Sequence, residues 1–410
     1  MQGIVDFIVS LNIPLVDEGI ARLISHVIFA SIIAVAAPAS LVILTWLERK
    51  IIARIQNRIG PNRAGPFGLL QGFADMVKMF TKEDITPAAA DRVPYNIAPG
   101  LSVISSIMAF AVIPFAPGFI GAELNVGVLY IIAIGGLGVL AILMGGWASN
   151  NKYALLGAFR VVAMLVTYEI PMIIALVIVT MVTGSMSLQD IVAAQSGLNW
   201  YAFSMPLVFL IFFIAGVAET GRSPFDLIEA ESEIIAGFHT EYSGIKFGMF
   251  MIGEYVHMFA LAFFTAVLFL GGWQIPFVTS EGYLPVWLEA ILGFIALNVK
   301  MGLFVFIMMW FRGTLPRFRI DHLLDFCWKF LVPVSIVLMI AVAIVVKLFN
   351  PVGLATPGLL LVIGEFFVLL IVNVGVGGAA LFFVSRAARQ GRNKTLRSVT
   401  AVDAPAPASK

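Results

Sequence analysis

Apolar stretches recur along this chain near residues 24–47, 98–117, 128–147, 162–184, 203–220, 249–272, 286–311, 329–349 and 358–384. Each approaches the roughly 20 residues that a helix needs to cross about 30 Å of hydrocarbon. The pattern predicts an all-α, polytopic transmembrane helix bundle of about nine spans. The connecting segments are unequal, and the longest, residues 48–97, carries its own periodicity. Leu69, Leu70, Phe73, Met76, Val77 and Phe80 recur at helical spacing, with Asp75 and Lys78 on a more polar side, which predicts an amphipathic helix. Its polar face is weakly basic for a membrane-surface binder, so docking against a partner is the favoured reading over lying among headgroups.

Composition makes the membrane assignment firm. Hydrophobic residues are 60% of the 410 and charged residues 12%, a surface no water-soluble domain of this length would tolerate. With the N-terminus outside, the segments expected on the cytoplasmic side hold 22 of the 25 Lys and Arg residues, as the positive-inside rule requires. The C-terminus is then cytoplasmic too. Arg22 is the first basic residue, and no short apolar core with a small-residue cleavage site follows the start, so a removable signal peptide is not expected. No fixed-period repeat divides the chain. A single helical membrane domain is expected over 1–384, its ninth span (358–384) a C-terminal extension. A cytoplasmic tail, 385–410, would follow, disordered at its small-residue end.

The acids are concentrated rather than spread. Glu219, Asp226, Glu229, Glu231, Glu233, Glu241 and Glu254 are seven of only 24 acidic residues. On an ideal helix Asp226, Glu229 and Glu233 share a face while Glu231 points away. Such neighbours repel when all are ionised, so their titrations should be coupled. Arg222, three residues after Glu219 and four before Asp226, could bridge both. The blander reading is loop solvation, or capping of a helix starting near Pro224. Against it stand Glu169, Glu254 and Lys300 inside apolar spans, where a charge costs about 2.5–3.5 kcal/mol on insertion scales and usually faces a wet interior or a partner. Pro171 frees a carbonyl one turn back, near Thr167, that could hold a water. A basic group follows the first span (Arg49, Lys50, Arg54, Arg58, Arg63) and the seventh (Arg312, Arg317, Arg319), for which positive-inside topology is the plainest account. His26, Cys327 and Glu365 read as structural.

Several chemistries are excluded. One cysteine cannot hold an iron–sulfur cluster, the four histidines have no metal-site spacing, and no glycine-rich nucleotide fingerprint is present. No metal site is expected, and a net charge of +1 gives no reason for a nucleic-acid partner. Electrons, if any, belong to other subunits.

Three motifs carry a family resemblance. The first is Glu48-Arg49-Lys50 with Arg58-Ile59-Gly60-Pro61-Asn62-Arg63-Ala64-Gly65 and Gly68 to Lys78; the second is Gly221-Arg222-Ser223-Pro224-Phe225-Asp226 through Glu233 to Ser243; the third is Arg312-Gly313-Thr314-Leu315-Pro316-Arg317-Phe318-Arg319. In this order, and over roughly residues 20–350, the chain resembles the membrane component of complex I (NADH:quinone oxidoreductase) known as the H subunit, or subunit 1.

The resemblance implies a translocase subunit without redox groups of its own, at the junction of membrane and peripheral arms. Quinone would be its substrate, FMN and iron–sulfur clusters would lie in partner subunits, and nothing would be covalently bound. Its partners would be peripheral-arm quinone-site subunits, small membrane subunits and lipid. Glu48, Arg49, Arg58, Arg222, Tyr255, Arg312 and Arg317 would line or support the quinone tunnel. Glu169, Glu219, Asp226, Glu229, Glu231, Glu233, Glu241, Glu254, Asp75 and Lys300 would form the proton path. The ninth span exceeds the compact mitochondrial form, which favours a bacterial cell membrane. The alternative is the homologous subunit of a proton-pumping hydrogenase-type complex. A secondary transporter would need paired halves with broken helices, and a pure anchor would leave Glu169 and Lys300 without a reason.

Overall fold

A backbone buried in hydrocarbon must satisfy its own hydrogen bonds, which leaves helices as the economical solution for apolar runs of this length. A computed structural model describes residues 18–197, 199–227, 236–276, 285–349 and 359–402, and among them every long element is a helix. In order these are α1 (Glu18–Ile55), α2 (Gln71–Thr81), α3 (Arg92–Met108), α4 (Gly127–Ala148), α5 (Lys152–Thr183), α6 (Leu188–Ala194), α7 (Tyr201–Ser204), α8 (Pro206–Glu219), α9 (Gly244–Phe269), α10 (Val286–Thr314), α11 (Ile320–Phe326), α12 (Val332–Phe349) and α13 (Leu359–Val402). A short π-helical stretch, Cys327–Leu331, joins α11 to α12.

Each of the nine apolar stretches holds helix, and among the described residues eight helices, not nine, are long and apolar enough to cross a membrane. The fifth stretch differs: α8 has 14 residues, fewer than a full crossing needs, and begins at Pro206 directly after the four-residue α7.

The described parts of the segments 48–97, 150–161, 219–249 and 312–329 meet at one end of the bundle. Ile85 donates its N–H to Ser243 Oγ (2.9 Å), Asn150 Nδ2 donates to the Ala89 carbonyl (3.0 Å), and the Phe318 N–H donates to the Pro224 carbonyl (3.1 Å). At the other end, the Val128 N–H reaches the Met186 carbonyl and Gln195 reaches Val267 and Leu268.

Helix α9 is the axis of the core, packed against α1, α2, α3 and α10, while α5 packs on α4, α8 and α12. Small residues allow the close approach: Ser106 Oγ donates across to the Gly253 carbonyl at 2.8 Å, as membrane interfaces favour. Outward stripes are apolar. Ile336, Ile340, Ile344 and Leu348 of α12 lie exposed at a four-residue period, which suits a face turned to hydrocarbon.

Two local features bear on what the sequence suggests. The amphipathic helix α2 exists with Phe73, Val77 and Phe80 exposed, and its inward side is formed by Gly72 against Val42 and by Met79 beside Gly248. The apolar stripe therefore faces away from this chain. The Thr167 carbonyl, freed by Pro171, accepts from the Cys327 thiol at 3.2 Å rather than standing open to water. A proline in one helix is thus answered by a side chain from another, at the start of the π-helical stretch.

The first loop turns on Gly68, whose φ of +79° suits glycine, and an added Cβ would fall 2.2 Å from the Pro61 carbonyl oxygen. Gly68→Ala is expected to destabilise the subunit by about 1–3 kcal/mol through backbone strain and displaced packing. Thermal unfolding of the purified complex measures this, and an unchanged midpoint would contradict it.

Candidate functional site

Helices α1, α9 and α10 and the turn after α8 each contribute one charge to a buried cluster. Arg222 is 3% exposed and Glu48 is 4% exposed. Arg222 Nη1 lies 3.3 Å from Glu48 Oε2, and its Nε lies 3.3 Å from Glu254 Oε1. Arg312 binds the other Glu48 oxygen. Two carboxylates face two guanidiniums, so the group is neutral as a whole, the condition under which charges can be taken out of water. The Arg222 guanidinium also lies 4.1 Å from the Tyr255 ring centre, a cation–π contact. Burial alone would lower its pKa, but Glu254 and Glu48 outweigh that and hold it above the ordinary arginine value.

Glu254 continues inward. With Glu169, Glu219 and His257 it lines a cavity of about 100 Å³ among α3, α4, α5 and α9, enough for several waters. Glu219 Oε1 is 3.7 Å from His257 Nε2, while its Oε2 is buried with no hydrogen-bond partner in the protein. Glu169 lines the same cavity from α5. The cavity wall is otherwise mostly apolar, with Ser102, Ser105 and Ser106 among its few polar groups.

The other residues singled out in the sequence divide by location. Arg222 does not bridge Glu219 and Asp226: its carboxylate partners are Glu48 and Glu254, and Asp226 instead pairs with Arg317 at 2.9 Å. Asp226 stands in a non-helical stretch over 221–227, so among the described residues no helix starts near Pro224. Glu229, Glu231 and Glu233 lie outside the described residues. Asp75 pairs with Arg49 at 2.7 Å, tying α2 to the end of α1. Arg58 is exposed and donates to Gln56 Oε1 at 2.7 Å.

Glu241 is outside the cavity. Its Oε1 accepts from Asn151 Nδ2 at 2.5 Å, and it lines a separate open pocket with Asn150 and Asn151. Lys300 is also apart from the acids. Its ammonium donates to the carbonyls of Leu270 (2.6 Å), Gly272 (2.9 Å) and Gln274 (2.7 Å) and sits 4.5 Å from the Trp200 ring centre. It closes the end of α9 at the end of the bundle opposite the four loops.

Sequence reading passed over His257, which faces Glu219, and Arg160, whose Nη2 donates to the Leu227 carbonyl at 2.6 Å. An ionisable residue inside or bordering an apolar span was the available signal for both. His239 is buried beside Phe238 and Phe247, and burial lowers its pKa to about 4, so it is neutral at physiological pH. Among the described residues no cluster of His, Cys, Asp and Glu suits a metal ion.

Fold and site together define a polytopic helical membrane protein with a charge-neutral ion cluster opening onto an acidic internal cavity. A model of the NADH dehydrogenase family matches residues 27–343. The H subunit of NADH-quinone oxidoreductase from Geobacillus kaustophilus (strain HTA426) is 49% identical over 299 residues, covering 73% of this chain and 87% of that protein. The same subunit from Geobacillus thermodenitrificans (strain NG80-2) is 47% identical over 303 residues, 74% of this chain and 88% of its own length. That of Dehalococcoides mccartyi (strain CBDB1) is 47% identical over 304 residues, 74% and 82%. The chain belongs to the NADH dehydrogenase family of complex I membrane proteins, the family of the H subunit, or subunit 1.

Proposed function

We propose that this chain is the membrane subunit of a proton-pumping NADH:quinone oxidoreductase, lining the quinone-access tunnel where the peripheral arm docks and coupling quinone reduction to proton translocation. The observation that carries this reading is the position of Arg222. One buried guanidinium touches both Glu48, which Arg312 holds from the loop side, and Glu254, which lines the acidic cavity.

The coupling is electrostatic. A unit change of charge about 4 Å away shifts a site by about 4 kcal/mol at an effective dielectric of about 20, worth roughly three pKa units. Quinone gaining electrons and taking up two protons near Glu48 and Arg312 would therefore alter which acids around Arg222 hold protons. Glu254, Glu219 and Glu169 would pass the change along the cavity, with Asp226, Glu229, Glu231 and Glu233 extending the path. Arg49, Arg58 and Arg317 would lie along the headgroup route. The four basic loops would face the cytoplasm of a bacterial cell, with FMN and iron–sulfur clusters in the partner subunits. Lys300, engaged by three carbonyls, is given a structural role instead.

Glu219→Gln tests this, because it keeps the shape of the side chain and removes its titration. The assembled complex is expected to lose proton translocation by about a hundredfold, the lower end of what a proton-transferring group contributes, with NADH:quinone turnover falling alongside. Normal turnover and pumping in the assembled variant would refute the path.

A further inference from the structure

A chain of buried aromatic rings runs from Glu241, whose backbone carbonyl accepts from the Tyr95 hydroxyl, to Phe250 at the cavity of Glu169, Glu219 and Glu254. Tyr95 and Tyr242 stack with their ring centres 4.2 Å apart and planes within 5°. Tyr242 meets Phe250 edge to face at 5.0 Å, and Phe250 meets Phe238 in the same way at 5.0 Å. All four rings are buried. Glu241 lines the open pocket on one side, and Phe250 and Phe238 line the inner cavity on the other.

Two features make this wall a barrier to protons. Both phenol groups donate to backbone carbonyls, Tyr95 to Glu241 at 2.8 Å and Tyr242 to Tyr95 at 3.1 Å, so neither hydroxyl proton is offered to a chain of donors running across. Burial, helped by Tyr95, also raises the Tyr242 pKa, so the ring does not ionise to pass a proton on. The fit behind it is close: a Cβ at Gly145 would come 3.1 Å from Phe250 and 3.4 Å from the Tyr242 hydroxyl. A proton needs water or an available hydroxyl or titratable group at each step; the ring faces supply none and both phenol protons are held by carbonyls, so crossing them carries the cost of an unsolvated charge.

We propose that the Tyr95–Tyr242 stack, backed by Phe250 and Phe238, is a dry septum that keeps the open pocket at Glu241 out of proton contact with the acidic cavity and so prevents leakage that would uncouple the complex. Its residues act by excluding water; none of them is placed on the proton path. The proposal rests on the pumping function above, and its test is chosen to fail separately from it.

The test uses the whole complex in proteoliposomes, with passive decay of an imposed pH gradient measured in the absence of NADH. Tyr242→Ala opens the wall and is expected to speed the decay by about tenfold, as a wet passage replaces a dry one. Tyr242→Phe keeps the ring and should leave the decay as in the parent. With NADH added, Tyr242→Ala should retain quinone turnover but show fewer protons moved per NADH. Phe250→Ala removes the backing ring with both tyrosines intact, should also speed the decay, and serves if Tyr242→Ala does not assemble. A decay rate equal to the parent's in the assembled variants would overturn the septum. If the parent complex itself turned over without moving protons, the pumping function would fall instead, while the passive decay would still report on the wall.

Discussion

Replacing Arg222 with methionine is expected to destabilise the assembled complex by about 3–5 kcal/mol, the cost of leaving buried charges uncompensated, and to abolish most quinone reductase activity. The side chain is held by Glu48 on one side and Glu254 on the other, with Tyr255 beneath. Methionine fills much of the volume but leaves two carboxylates facing a single remaining guanidinium, that of Arg312. Lysine should rescue in part, since a point charge lacks the fork that spans both carboxylates. A second substitution, Glu254→Gln, should recover part of the lost stability by restoring neutrality, and the coupling between the two sites would appear as non-additivity. Thermal unfolding of the solubilised complex together with NADH:quinone activity reads both effects. Parent-like stability in Arg222→Met would show that the cluster is not held together by charge.

Lys300→Met separates a structural cation from a proton carrier. An ammonium has three donors, and all three reach carbonyls, that of Leu270 at the C-cap of α9 and those of Gly272 and Gln274 in the turn beyond it. Each buried carbonyl left without its donor costs about 1–3 kcal/mol, so a loss of about 3 kcal/mol or more is expected in the unfolding measurement. The fraction that assembles should keep the parent's turnover and its ratio of protons to electrons. A reduced ratio in stably assembled Lys300→Met would return the lysine to the proton path.

The acids and arginines of the site were visible in the sequence as residue types, but their pairing was not. Glu48 meets Arg222 across 174 residues and Arg312 across 264, separations over which no helical period carries information. Local geometry misled where the chain is not helical: the bridge expected from Arg222 to Glu219 and Asp226 assumed a helix that ends at Glu219. Lys300 was flagged because a charge in a span is costly. The same cost is met equally well by backbone carbonyls as by acids, and sequence does not distinguish them.

The order of residues was enough to dictate the succession of apolar helices and the loops between them, because a chain in hydrocarbon has to close its hydrogen bonds locally and local closure is written in local composition. The family, too, was legible in three long motifs. Packing in three dimensions was needed to settle which charges neutralise one another, that α2 turns its apolar stripe outward, that Cys327 answers Pro171, and that Tyr95 and Tyr242 stack beside Glu241. Those outcomes depend on which side chains are brought within a few ångströms of each other, and Coulomb and hydrogen-bond energies are settled at that range.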